Sequence, residues 1–461
     1  MPILGTYIVP HPPVIIPAVG DGREHDIQKT IDAYEEISCR IAELKPETII
    51  VLTPHGVMYS DYMHISPGKS GQGNLAQFGA PGVSIQADYD EEFVSALSFA
   101  ASSSGVSAGT LGEKDKRLDH GTIVPLYFIE HNLKNYKLVR ISSSGLSREE
   151  HYALGRCLKE VILDLDRKVV IIASGDLSHK LTSDGPYTYA KEGPIFDDQI
   201  TKAMAKGDFL TFLTMDEELL CSAGECGLNA FVVMAGVLDQ LGVEAELLSY
   251  EGPFGVGYAV CAFKPLGVEQ SRDFGMQAKN LEKTRLNRIK NQEDAYVSLA
   301  RLSLETFIME HRTLNLAEDL SDELFKRRAG VFVTIKKHGR LRGCIGTIEP
   351  VETSIAEEIV KNAVSSGASD LRFSPVTKEE LLDLVYSVDV LSPPEPIRTK
   401  DELDVLRYGI IVTSGRKRGL LLPNLENVTS IDEQVSIALQ KAGIPADADY
   451  SMKRFEVVRH H

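Results

Sequence analysis

Four histidines in the first half of the chain stand in comparable settings. His11 lies in Val9-Pro-His-Pro-Pro13, His55 in Thr53-Pro-His-Gly56 and His120 in Leu118-Asp-His-Gly-Thr122, while His179 closes Ser174-Gly-Asp-Leu-Ser-His179. Proline fixes φ near about −65° and biases the residue before it to extended backbone, so His11, flanked by Pro10, Pro12 and Pro13, carries an imidazole aimed by a stiff main chain. Two imidazoles arriving from separate segments need a third donor to hold a divalent metal, and Gly224-Glu-Cys-Gly227 offers Glu225 or Cys226. Successive helical residues point about 100° apart, so one of the two is expected to face the metal. Two histidines and a carboxylate leave adjacent positions open for an organic substrate and O₂ on non-heme iron(II), whereas two histidines and a thiolate favour zinc or copper. Iron(II) is the expected cofactor, with zinc and copper as the alternatives.

These side chains need a scaffold that gathers them. The first 265 residues alternate β-like runs with amphipathic helical patterns. The strands are expected at Ile3 to Val9, Thr48 to Leu52, Lys137 to Ile141, Lys168 to Ala173, Ala245 to Tyr250 and Gly257 to Phe263. Helices are expected at Asp26 to Leu44, Glu149 to Leu163 and Gly227 to Leu241. This predicts an α/β domain, a mixed sheet covered by helices, whose site collects past the carboxyl ends of its strands. His11, His55 and His179 each follow such an end, and His120 precedes a helical pattern. Cys221, five positions before Cys226, does not have zinc-knuckle spacing and reads as an incidental thiol. Tyr250-Glu-Gly-Pro-Phe-Gly-Val-Gly257 lacks the ending of a phosphate loop and reads as a turn into the last strand.

The segment 266–290 is highly polar and is expected to be a linker or a solvated helix. Beyond it, 291–461 has an α+β texture. A helix near Glu293 to Glu310 is expected to bury Ala295, Leu299, Leu302 and Thr306, and Val331 to Ile335 and Leu341 to Ile348 form a hairpin around Lys-His-Gly-Arg. Ser354 with Glu357, and Ser430 with Glu433, have capping-box spacing, and the second of these helices should present Ile431, Val435, Leu439 and Ala442 and stop at Gly443. The chain of 461 residues thus divides into 1–265, a linker at 266–290, and 291–461.

Composition narrows the function. A formal net charge of −17 disfavours nucleic acid and anionic membrane surfaces as partners and leaves a small-molecule substrate. The six cysteines make no CxxC pair and no secreted disulfide framework, and no apolar run approaches the roughly 18 residues of a membrane span. Met1 leads straight into Pro2-Ile3-Leu4 with no basic leader segment. The cytoplasm is the expected location.

These residues carry a resemblance. Pro10-His-Pro-Pro13, Thr53-Pro-His-Gly56, Asp119-His-Gly121, Ser174 to His179 and Gly224-Glu-Cys-Gly227 are similar to the motifs of the LigB-type class III extradiol ring-cleaving dioxygenases and their relative Memo. The resemblance implies His11 and His55 as metal ligands with Glu225 as the third. It implies His179 as the acid/base taking a proton from a catechol hydroxyl, and His120 as a further histidine near oxygen. Cys226-Gly227 matches the Memo-like third-ligand pattern as closely as Glu225 matches the dioxygenases, and Asp176 fits a Memo-like site, completing His179, His120 and Asp176 as the expected catalytic residues.

In the second half, Leu341-Arg-Gly-Cys-Ile-Gly-Thr347, Ser369-Asp-Leu-Arg-Phe-Ser-Pro375 and Leu421-Leu-Pro-Asn424 resemble the AMMECR-type domain, named for the AMME syndrome candidate protein. It implies a pocket or partner surface around Arg342, Cys344 and Arg372. Such a pairing of domains resembles the fused component of the AmmeMemoRadiSam trio, which includes a radical S-adenosylmethionine (radical SAM) protein. The expected function is a non-heme iron(II) oxidoreductase acting on a small catechol-like substrate with O₂. The alternative is a copper- or zinc-binding accessory protein working with a radical SAM partner in a modification pathway.

Overall fold

A computed structural model describes residues 1–114, 117–317, 320–425 and 428–461. The chain forms two compact units, Met1–Leu281 and Glu282–His461. The division falls within a helix, Phe274–Gln292, that occupies most of the stretch read as a linker; Phe274 alone among its residues is buried, as expected for so polar a sequence.

The first unit is built on strands β1 (Ile3–Val9), β2 (Thr48–Thr53), β3 (Ser70–Leu75), β4 (Ala80–Asp88), β5 (Lys137–Ser142), β6 (Val169–Ser174), β7 (Leu241–Glu251) and β8 (Tyr258–Val268). Six of them make one sheet in the order β5-β2-β6-β1-β8-β7. The first four run parallel, while β8 is antiparallel to both β1 and β7, so the sheet is mixed as expected. The parallel strands are continuous apolar runs because both faces are covered. Ile50 and Leu52 of β2 enter one core layer, and Ile49 and Val51 enter the layer on the opposite face.

Helices α1 (Gln28–Leu44), α2 (Glu91–Ser103), α3 (His120–Ile129), α4 (Arg148–Asp164), α5 (Glu192–Lys206) and α6 (Leu228–Val237) supply these layers. Helix α6 is shorter than the expected Gly227 to Leu241 and is buried at nearly every position, so its sequence carries no amphipathic period to mark its ends. The β3–β4 hairpin and helices α2 and α5 were not anticipated. Ser-Gly-Gln-Gly-Asn in β3 lacks the branched and aromatic residues that signal strands.

The parallel strands end level with one another: Thr53 pairs with Ser142, Leu52 with Ala173, and Val9 with Ser174. At this edge a Cβ on Gly175 would lie 2.1 Å from the Cα of Gly227, so the end of β6 and the start of α6 meet backbone to backbone.

The second unit is α+β, as expected. Its two four-stranded sheets are wholly antiparallel, one carrying the Val331–Lys337/Arg340–Gly346 hairpin at one edge and the other with Gly409–Ser414 as an inner strand. The helix Ala295–Glu310 buries Val297, Leu299, Ala300, Arg301, Ser303 and Leu304, so of the expected stripe Leu299 alone is buried; Leu302 is 44 % exposed, and Arg301 is turned inward by its ion pair with Glu293 at 2.7 Å. Ser354 and Ser430 both cap their helices. The reciprocal carboxylates of Glu357 and Glu433 reach one residue further back, to the Thr353 and Thr429 amides. No helix among the described residues is long and apolar enough to cross a membrane.

Candidate metal centre

His11 leaves β1 with its imidazole 2 % exposed, fixed at two points. Its backbone N–H donates to Asp176 Oδ1 at 2.7 Å, and its Nδ1 lies 2.9 Å from Ser174 Oγ. With Nδ1 engaged, Nε2 is the atom left to point outward, and it meets His55 Nε2 at 3.0 Å. His55 is placed by the turn after β2, where its amide donates to Thr53 Oγ1. Cys226 comes from the turn before α6, its amide on the Asp176 carbonyl, and brings Sγ to 3.7 Å from His11 Nε2.

His11, His55 and Cys226 form a group whose donor atoms all lie within 4.8 Å of one another. Two nitrogens and a sulfur around a tetrahedral ion stand about 3.3 Å (N to N) and about 3.6 Å (N to S) apart, so the observed spacing fits a first-row transition metal. The local chemistry agrees. Burial, then the neighbouring His55, His120 and His179, hold His11 well below the usual imidazole range, and burial also lowers His55. Both are thus neutral imidazoles, the form able to ligate a metal. Burial, then the charges of Asp176 and Glu225, push the Cys226 thiol up, a cost that a bound cation reverses.

Glu225, the other of the two expected third donors, caps the neighbouring helix. Its carboxylate accepts the Leu228 N–H at 2.7 Å, capping the first turn of α6, and burial pushes it up to about 7. Residues 224–227 form a turn before the helix, with Gly224 in the left-handed region at φ 64°, so helical spacing does not govern where 225 and 226 point.

The expected catalytic residues surround the group. His120 stacks on His55 with ring centroids 4.2 Å apart and meets His11 edge-on at 5.3 Å. His179 hangs from a bond between its amide and the Gly224 carbonyl and stacks on Tyr187 at 5.2 Å. Burial, then the charge of His55, pushes both His120 and His179 down to about 4. Asp176 is buried beneath His11, with Oδ2 4.0 Å from His11 Nε2; burial pushes it up to about 7 against the His11 amide.

Several supporting residues were not foreseen. Ser174 was noted only as part of a motif. Asp119 caps α3 through the Thr122 amide, accepts from Thr53 Oγ1 at 2.7 Å, and pairs with the buried Arg140 at 3.5 Å, so one carboxylate links the segments that carry His55 and His120. An Asp directly before a helical His is the legible N-cap signal here. Beside His55 and His120 opens a cavity of about 850 Å³, walled by the β3–β4 hairpin and by Arg117 and Arg140.

In the second unit, Arg342 forks onto Glu380, and Arg372 onto Asp370, with Arg372 also donating to the Cys344 carbonyl. Arg342, Cys344 and Arg372 therefore share a neighbourhood, with both guanidinium groups engaged in protein contacts.

The family model described as the catalytic LigB subunit of aromatic ring-opening dioxygenase matches residues 5–261, and the AMMECR1 model matches residues 297–460. A protein of Clostridium acetobutylicum is 41 % identical over 471 residues, covering 100 % of this chain and 99 % of that protein. One of Thermotoga maritima is 48 % identical over 170 residues, 36 % of this chain and 98 % of its own length. A crystal structure of a Pyrococcus horikoshii protein is similar at 33 % identity and a TM-score of 0.34, covering 36 % of this chain and 88 % of that one.

Proposed function

The chain belongs to the family of the catalytic LigB subunit of aromatic ring-opening dioxygenases, and from that premise we propose a metal-dependent oxidoreductase acting on a small chelating substrate of the catechol kind. One observation carries it: the clustering of His11, His55 and Cys226 at the strand ends, next to a cavity that reaches His55 and His120. Two imidazoles and a thiolate are a donor set for copper before iron(II), because the carboxylate that iron prefers, Glu225, is committed to α6. When bound, such a metal supplies a Lewis acid and a one-electron couple to a substrate that chelates it.

The chain's own side chains do the rest. Ser174 orients His11, and Thr53 with Asp119 holds the His55 and His120 segments together. His120 and His179 are neutral at pH 7, the form that accepts a proton from a substrate hydroxyl. Asp176, pushed up to about 7 by burial, is placed to hold or yield a proton beneath His11. Oxygen uptake by copper-loaded and iron-loaded protein with a panel of catechols tests this. Uptake with copper that is lost in Cys226→Ala supports it, and a fully loaded protein silent towards every member overturns it.

The thiolate donor also favours a second reading, a copper- or zinc-binding accessory protein that works with a radical SAM partner. Stable metal loading without oxygen uptake, together with retention of such a protein on the full chain, favours this role.

A further inference from the structure

The cavity beside His55 and His120 is walled on one side by a face of side chains that the proposed chemistry does not use. In the β3–β4 hairpin Gln72 pairs in register with Gln86, and Asn74 with Ser84, and all four line the cavity. The alternate positions Leu75, Ile85 and Ala87 are packed into the core, Ile85 also reaching the cavity wall, so the register of this hairpin is fixed and Gln72, Asn74, Ser84 and Gln86 stay on its polar face. Phe78, at the hairpin turn, meets His120 edge-on at 5.3 Å, which ties this wall to the metal-side histidines.

The chemistry of the face is specific. Carboxamides and a hydroxyl both donate and accept, and none carries charge. Asn74 turns its oxygen to the Ala76 amide, while the carboxamides of Gln72 and Gln86 are engaged by no other described residue. Of the two guanidinium groups on the cavity wall, Arg140 is matched by Asp119, and Arg117, bridged in register to Gln72, is engaged by an interaction of its own. At about 850 Å³ the cavity is far larger than a catechol ring and falls in the range of roughly 300–1,000 Å³ that takes an extended ligand.

Building on the chelating-substrate reading above, we infer that the substrate carries, beyond its metal-chelating head, an uncharged hydroxyl-rich extension of the sugar kind that lies along Gln72, Asn74, Ser84 and Gln86. Glutamine and asparagine match vicinal hydroxyls with paired donor and acceptor. An apolar tail would strip these amides of water without replacing their bonds.

The test is calorimetric binding to the zinc-loaded full chain, a redox-inert form, of three probes: catechol, 4-propylcatechol and a catechol carrying a glucosyl group on its ring through oxygen. The glucosylated probe is expected to bind at least tenfold more tightly than the other two. Gln72→Ala combined with Gln86→Ala should erase that advantage while leaving zinc content and catechol affinity unchanged. Equal affinities for the three probes, or an advantage that survives in the double variant, overturns the inference and leaves the chelating site standing. Catechol that fails to bind the zinc-loaded protein overturns both.

Discussion

Ser174 Oγ lies 2.9 Å from Nδ1 of His11, and this contact decides which imidazole nitrogen faces Cys226 and His55. The strand end supplies both partners, since Ser174 pairs in register with Val9, two residues before His11. Partners that fix a ligand histidine's tautomer contribute to metal affinity without touching the metal. Ser174→Ala is therefore expected to weaken metal binding about 10- to 100-fold. Competition with a chelating dye measures this, and an unchanged melting temperature of the metal-free variant separates it from general damage.

The buried pair of Arg140 and Asp119 holds the His55 and His120 segments in one network. Arg140 is 2 % exposed and hydrogen-bonded to Ser66 and the Arg117 carbonyl, so removing it breaks a buried polar network and leaves the half-buried Asp119 carboxylate without its cation. Arg140→Leu should cost about 3–5 kcal/mol of stability. Urea unfolding followed by circular dichroism reads the loss; a change below about 1 kcal/mol would show the pair to be replaceable.

The second unit offers a pH signature of its own. Burial alone would raise the Glu380 carboxyl, but the Arg342 fork, the Thr377 amide and Lys337 outweigh it and hold it at about 2, below its ordinary 4.5. A carboxyl depressed on folding contributes stability that is full above the unfolded value and is lost as pH falls through the folded one. Glu380→Gln should thus be less stable than the parent chain at pH 7, the gap closing between about 4.5 and 2. A gap that is flat across that window contradicts the ion-pair account.

Much of this architecture was legible because its signals are local. Strands β1, β2 and β6 are apolar runs buried on both faces, and a histidine just past each end falls at one sheet edge whatever the loops do. The choice between Glu225 and Cys226 was not legible, because it depends on where α6 begins. Starting at Leu228, the helix leaves both residues in a turn whose direction is set by Gly224 and by the Gly175–Gly227 contact. The β3–β4 hairpin stayed hidden because its glycines and glutamines lack strand propensity; its register comes from tertiary burial of Leu75 and Ile85. In the second unit the helical stripe was misjudged because a charged residue, Arg301, is turned inward by its bond to Glu293.

In the proposed metal set Cys226, and not Glu225, joins His11 and His55. Loading the metal-free full chain with cobalt(II) and recording its absorption tests this most directly, since a thiolate ligand produces an intense sulfur-to-metal charge-transfer band. The wild type and Glu225→Gln are expected to bind one ion with that band present, and Cys226→Ser to lose the band and most of the affinity. Full binding without the band in the wild type, together with loss of binding in Glu225→Gln, would contradict the account.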